Sequence, residues 1–433
     1  MMDGISDSPE SKVTGILQSI WSLLFAAFFF LFFWLPDLSS LMAKLMLLLA
    51  LPTWWLSRAR AAWPSPRPLL LLLPLMVYLV SMTLHEFDAR QLARPAHLLL
   101  ALFLFLSIRG IRLHHGWIGG GVVLSILPAL ALAVHEHVVL DQPRVYARLS
   151  GGDFGNFCAA LSVPLLLAML PSGRPVAQRA ALLFCSGAAA LIAFWSGSRT
   201  GWLIMPVVLC CLLLAGALPG GSLRRLLWAM PVLVLAVLPM AGRGMDQRMQ
   251  RLVFEVQAYF SGDIAGYAGT SMGIRLESAR LGLDLCEANP ALGLGYVEFK
   301  RIAVRMADEG LISAEIPRFF GMLHNQFLDY CMLLGIPGVL VLGVFWAGVF
   351  MTAYAALRRA PDEPARFLAL CLASVLTGYF VSATGGSMFS STKGTVYFCI
   401  ALLLLMKLDA EARPSLYRRD PAVRDSLPEG VPT

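Results

Sequence analysis

Charge is scarce in this 433-residue chain, at 14% Asp, Glu, Lys and Arg against about 25% in a typical soluble protein. With 58% apolar residues and a mean hydropathy of +0.71, that shortage excludes a disordered, fibrous or ordinary soluble chain. Alternating apolar and polar residues are also missing, because the apolar runs are continuous, which argues against a β-barrel. The eight cysteines form no CxxC or paired metal spacing. They imply no disulfide framework and read as small core residues, with only Cys286 in a long polar stretch. There is no repeat of 20–50 residues, no convincing inverted repeat and no nucleotide-binding motif. No small-residue cleavage site follows the first apolar run, so that run reads as a retained span.

What is present is a series of helix-length apolar runs. Twelve are expected, at roughly 14–35, 38–57, 68–84, 91–108, 116–135, 154–170, 180–198, 201–219, 224–241, 325–357, 364–384 and 394–408. This is an all-α polytopic membrane protein. The tenth run contains Gly335-Ile336-Pro337-Gly338, which predicts a short helix, a break and then a full span. Eighteen Lys and Arg, including Arg58, Arg67, Arg109, Arg174, Arg224, Arg359 and Lys407, fall in the first tail, the last tail and one alternating set of loops. The positive-inside rule then puts both termini in the cytoplasm. The net charge of +7 is thereby a topology signal, and no nucleic-acid partner is expected.

One outward loop, 242–323, holds nine Lys/Arg and ten Asp/Glu, and long loops cross the membrane regardless of charge. Ile274 to Ala288 predicts an amphipathic helix with Leu276, Ala279, Leu283 and Cys286 on one stripe, ended by Asn289-Pro290. Lys300 to Glu309 predicts a second, stopped by Gly310. The expected organisation is 1–241 as nine membrane helices, 242–323 as a mostly helical periplasmic cap, 324–408 as three more spans and 409–433 as a cytoplasmic tail.

The residues with chemical potential lie toward the outer side. Arg199, in Gly197-Ser198-Arg199-Thr200-Gly201, is either an interfacial arginine that snorkels to water or an anion site whose flanking glycines admit a phosphate. Arg275, at the start of the loop helix, is either solvated or an anion ligand helped by free N–H groups. Arg144 reads as an ordinary loop charge, and Arg148 is open between that and a basic patch. His135-Glu136-His137 does not suit a metal, because rings two apart on a helix end diverge. Glu86 and Asp88 read as solvated carboxylates, with a divalent-ion site as the alternative. His324, in Leu323-His324-Asn325-Gln326 where the long loop re-enters the membrane, is placed to take a proton from a hydroxyl.

His324-Asn325, nine residues, Gly335, two residues and Gly338 form H-N-x9-G-x-x-G. This resembles the signature of the O-antigen ligase family, which is related to O-antigen polymerases and bacterial protein O-oligosaccharyltransferases. Ser198-Arg199-Thr200-Gly201, and Arg275 followed by Asn289-Pro290 and Gly293-Leu294-Gly295, extend the resemblance over about residues 140–400. It implies a GT-C-like glycosyltransferase of the inner membrane with a periplasmic active site. The implied donor is an O-antigen polysaccharide on undecaprenyl pyrophosphate, and the implied acceptor is a sugar hydroxyl of lipid A–core. Arg199 and Arg275 would bind the donor pyrophosphate and His324 would activate the acceptor, with Arg148 and Asn325 as possible additions. No metal or other cofactor is expected, because two arginines can stabilise a pyrophosphate leaving group as a divalent ion does elsewhere. Attack opposite that leaving group would invert the anomeric centre.

Overall fold

The computed structural model describes residues 9–57, 67–86, 88, 92, 95–146, 149, 151–171, 173–216, 244–262, 264–267, 270–317, 323–386 and 391–412. Among the described residues the chain is helical and contains no strand. In order the helices are α1 (Pro9–Phe32), α2 (Pro36–Ser57), α3 (Leu72–Leu84, entered through a 3-10 turn Arg67–Leu71), α4 (His97–Ile108), α5 (His115–Leu124) and α6 (Ile126–Val134). Then follow α7 (Gly151–Ala168), α8 (Val176–Trp195), α9 (Arg199–Leu214), α10 (Gly244–Ser261), α11 (Ser271–Ala288), α12 (Tyr296–Asp308), α13 (Gln326–Arg359), α14 (Glu363–Thr384) and α15 (Thr392–Glu411).

Seven segments among these residues are long and apolar enough to cross a membrane: Lys12–Phe32, Pro36–Leu56, Arg67–Leu84, His115–Val139, Val176–Trp195, Gln326–Arg359 and Glu363–Thr384. His97–Ile108, Asp153–Ala168 and Arg199–Leu214 are shorter apolar helices. The expected span 224–241 lies outside the described residues, as does Arg148. In lipid there is little hydrophobic force between helices, so close packing and small residues must hold them together. A side-chain carbon on Gly121 of α5 would stand 2.3 Å from the Ala26 carbonyl of α1, so only glycine permits that approach. The phenylalanines of α1 meet α7 and α15 in an aromatic cluster, with the Phe32 and Tyr397 rings 4.3 Å apart and Phe157 and Tyr397 4.6 Å apart.

Charges sort to the two ends of the bundle. At one end Asp409 joins Arg67 (2.6 Å) to Arg359 (3.3 Å). Beside it Glu411 joins Lys407 (3.0 Å) to His115 (2.8 Å), and Lys407 also donates to the Arg109 carbonyl. Arg174 pairs with Glu363 nearby in the chain's basic loops. Of the basic positions assigned to one side by charge counting, Arg67 and Arg359 meet at one shared carboxylate.

The opposite end carries α10, α11 and α12. The buried face of α11 is Ile274, Ser278 and Leu281, with Glu277 beside it, while Leu283 is 59% exposed. The expected stripe through Leu283 was thus rotated, because Gly282 lets α11 press onto Leu323 and Leu328 at the start of α13. A second correction concerns cysteine: Cys286 of α11 and Cys331 of α13 form a disulfide, with Cα atoms 5.7 Å apart. Cysteines 45 residues apart, one of them in an apolar run, give no local signal, and only the α11–α13 packing aligns them.

The break in α13 falls at Leu334 and Gly335, whose φ is +66°. The backbone groups freed there are used by the segment after α11. The Met332 carbonyl accepts from the Leu294 N–H (2.8 Å) and the Gly295 N–H (3.1 Å), and the Ile336 N–H donates to the Pro290 carbonyl (2.8 Å). A side chain on Gly335 would meet Pro290 at 2.4 Å. Gly335 therefore serves both a left-handed backbone and a backbone-to-backbone contact. His85, at the end of α3, holds the same segment through the Leu292 carbonyl at 3.0 Å.

Candidate active site

His324 precedes α13 in a left-handed conformation, with φ +53°, which costs a non-glycine residue free energy and persists only when its neighbours enforce it. Two of those neighbours do. The preceding Leu323 N–H donates to the carboxylate of Asp329 at 2.7 Å. The following residue, Asn325, caps α13 by accepting from the Phe327 and Leu328 N–H groups. Asn325 also donates from Nδ2 to the Thr384 carbonyl at 3.0 Å. Asp329 was not picked out by sequence reading; an acidic residue in the first turn of a helix is a common sign of ordinary capping.

The last turn of α14 is where the site comes together. Asn325 bonds to Thr384, and a side-chain carbon on the next residue, Gly385, would lie 3.7 Å from Nη1 of Arg275. One turn earlier, Ser382 accepts from Nδ2 of Asn156 on α7 (2.9 Å), and the Oδ1 of Asn156 accepts from the Ser198 hydroxyl (2.6 Å). Ser198 caps α9 by accepting from the Gly201 N–H, which sets Arg199 as the first residue of that helix. The Ser382–Gly385 turn thus ties together the supports of Arg199, Arg275 and His324, although 125 residues separate the first from the last.

The three groups also interact electrically. Burial, and then the positive charge of Arg275, holds the His324 imidazole down to about 4, from an ordinary 6.5. The Arg275 guanidinium is itself lowered, by burial and then by Arg199. Arg199 has one carboxylate, Glu255 of α10, at 3.6 Å, a charge contact rather than a hydrogen bond. Among the described residues no carboxylate pairs with Arg275. Two guanidiniums placed against each other with so little compensation are suited to a polyanion. An imidazole kept neutral at their edge can accept a proton.

Arg275 lies in the second turn of α11, because the helix begins at Ser271, three residues before the expected start. Thr270 takes the Gly273 N–H through its hydroxyl (3.0 Å). The free N–H groups that were to assist Arg275 belong to the preceding turn. Two residues on, Glu277 is buried, accepts from the Ser313 N–H (2.9 Å) and is raised by burial, so it anchors the cap.

The metal candidates take other roles. Glu86 pairs with Arg301 of α12. His137 bonds to the Gln142 carbonyl (2.9 Å) and stacks on Trp195, while Glu136 accepts from the Tyr146 N–H. Among the described residues no group of three His, Cys, Asp or Glu could hold a metal ion.

The fold is all-helical among the described residues and of GT-C-like membrane type, with seven segments long and apolar enough to cross a membrane. Residues 182–343 match the family model described as O-antigen ligase. The matched segment contains Arg199, Arg275, His324 and Asn325, together with the α13 break. A search of curated proteins finds no match to the chain. The family's members are glycosyltransferase-like ligases and polymerases, which take a lipid-linked polysaccharide and an acceptor.

Proposed function

We propose that the chain is an O-antigen ligase of the bacterial inner membrane. On this reading it transfers O-antigen polysaccharide from undecaprenyl pyrophosphate to a sugar hydroxyl of lipid A–core, on the periplasmic side. The observation that carries the proposal is the arrangement of Arg199, Arg275 and His324 around the last turn of α14. The donor arrives with an activated anomeric carbon. As its bond to the pyrophosphate oxygen breaks, negative charge grows on the leaving group, where Arg199 and Arg275 neutralise it. The acceptor oxygen attacks from the opposite face and its proton passes to His324, so the anomeric centre inverts and no metal is required. Both electrons of the broken bond leave with the lipid pyrophosphate.

The cap's disulfide supports an outward orientation, because such bonds persist in oxidising compartments and are rare in the cytosol. The carboxylate-paired basic residues at the other end support cytoplasmic termini. An O-antigen polymerase or a protein O-oligosaccharyltransferase would share the donor chemistry and differ in the acceptor. A transporter is disfavoured because Arg199, Arg275 and His324 gather at one end of the bundle rather than at its midplane. Purified protein given lipid-linked polysaccharide and, separately, lipid A–core, a second lipid-linked chain or an acceptor peptide tests the reading. Product on lipid A–core in EDTA is expected. Product only on one of the other acceptors would overturn the ligase assignment.

A further inference from the structure

The end of the bundle opposite His324 contains a cavity of about 640 Å³, lined by Arg67, Phe350, Met351, Tyr354, Arg358 and Arg359 among others. Its composition is divided along α13. Phe350, Met351 and Tyr354 form an apolar and aromatic wall, and the arginines follow one to two turns later at the helix end. Met351 lies about 10 Å before Arg358 at 1.5 Å per residue.

Three guanidiniums line the cavity, and two of them, Arg67 and Arg359, pair with Asp409, which is itself 4% exposed. Arg358 is held differently. Its Nε donates to the Tyr354 hydroxyl at 3.3 Å, its Cζ lies 5.5 Å from the Tyr354 ring centre, and its Nη1 would stand 3.4 Å from a side-chain carbon on Gly216. Among the described residues no carboxylate pairs with it. The ring and the hydroxyl orient this guanidinium without neutralising it. From its foot an exposed stripe of Met351, Val344 and Leu340 runs along α13 toward the middle of the span.

A guanidinium held by Tyr354 with no carboxylate partner among the described residues, at the foot of an exposed apolar helix face, complements one kind of molecule: an anionic phosphate carrying acyl chains. We propose that this cavity binds the phosphodiester of an anionic glycerophospholipid from the leaflet opposite the candidate active site. The phosphate would sit on Arg358, with Arg359 and Arg67 at its side, and one acyl chain would lie along Met351, Val344 and Leu340. This site is separate from the donor site and does not depend on the ligase reading.

Native mass spectrometry of the delipidated full-length protein in detergent tests this, with phosphatidylglycerol, phosphatidylcholine and inorganic phosphate as probes. A phosphatidylglycerol adduct is expected in preference to phosphatidylcholine, and no response to inorganic phosphate. Arg358→Gln should weaken that adduct roughly fivefold, the loss from removing one basic group at a membrane surface. Tyr354→Leu, which keeps the apolar wall but frees the guanidinium, should weaken it less. Arg144→Gln, an exposed arginine elsewhere, should leave it unchanged. Equal binding of the two lipids would overturn the proposal, as would an Arg358→Gln variant with wild-type phosphatidylglycerol affinity. Inorganic phosphate binding as well as the lipid would also overturn it, because the apolar face of α13 would then contribute nothing.

Discussion

The two ends of the bundle are both rich in arginine, yet the Asp409 cluster and the His324 site treat charge in opposite ways. At the Asp409 end, two arginines share one carboxylate at 2.6 and 3.3 Å, and Lys407 and His115 share Glu411. At the His324 end, Arg275 has no carboxylate partner among the described residues and Arg199 has one at 3.6 Å. Burying a cation without compensation is expensive. A fold that keeps Arg275 without such a partner while pairing Arg67, Arg359 and Lys407 with carboxylates at the other end is not using Arg275 as glue. The difference separates charges that hold the helices from charges left available to a ligand.

The largest effect should come from His324, the proposed base. His324→Ala should lower transfer by about 10²–10⁴-fold while lipid-linked donor still binds, read by single-turnover kinetics beside a donor-binding titration. Loss of donor binding in a folded variant would instead make His324 a phosphate ligand. Next, Arg275→Ala should lower transfer by about 10²-fold or more. Arg275→Lys should fall between it and wild type, because the ammonium keeps the charge and loses the bidentate fork. Wild-type kinetics in Arg275→Ala would remove the contrast between the two ends.

At the paired end the expected consequence is on stability. Asp409→Ala should destabilise by about 1–2 kcal/mol, since Arg67 and Arg359 are exposed enough to be resolvated. Transfer per folded molecule should stay near wild type. Thermal unfolding with an activity assay on the folded fraction separates the two readouts, and a large catalytic loss at unchanged stability would contradict the division.

The smallest effect is a displacement in pH. With His324 held down to about 4, the neutral imidazole persists through the physiological range. The kcat/KM of wild type should then be level near neutrality and fall only through about pH 4. Arg275→Ala removes the second of the two causes, so the imidazole becomes easier to protonate and the fall should move to higher pH. It should stop short of the ordinary 6.5, because burial, the larger cause, remains. An unmoved inflection would mean that His324 does not feel Arg275.

The helical pattern was legible because each span carries its own signal in a run of apolar residues. The α13 break was legible because Gly335 and Pro337 announce it locally. His324 and Arg199 could be singled out because charge and imidazole stand out where the membrane makes them costly, and Arg275 because it stood near the expected start of a loop helix. Asp329, Glu255 and Asn156 could not, since their roles depend on partners far away in sequence. The same holds for the rotated face of α11 and for the start of that helix at Ser271, where Thr270 gives only a weak capping cue.

The chain's composition and periodicity specified a bundle of membrane helices, because the requirement to satisfy every backbone group in lipid leaves a long apolar run no other choice. The sorting of basic residues into one set of loops is likewise written in linear order. The Cys286–Cys331 bond, the docking of residues 290–295 into the α13 break and the gathering of three helices on the Ser382–Gly385 turn belong to the folded molecule. Each depends on distances between segments remote in sequence, and such distances arise only when glycines such as Gly282 and Gly335 let two backbones meet.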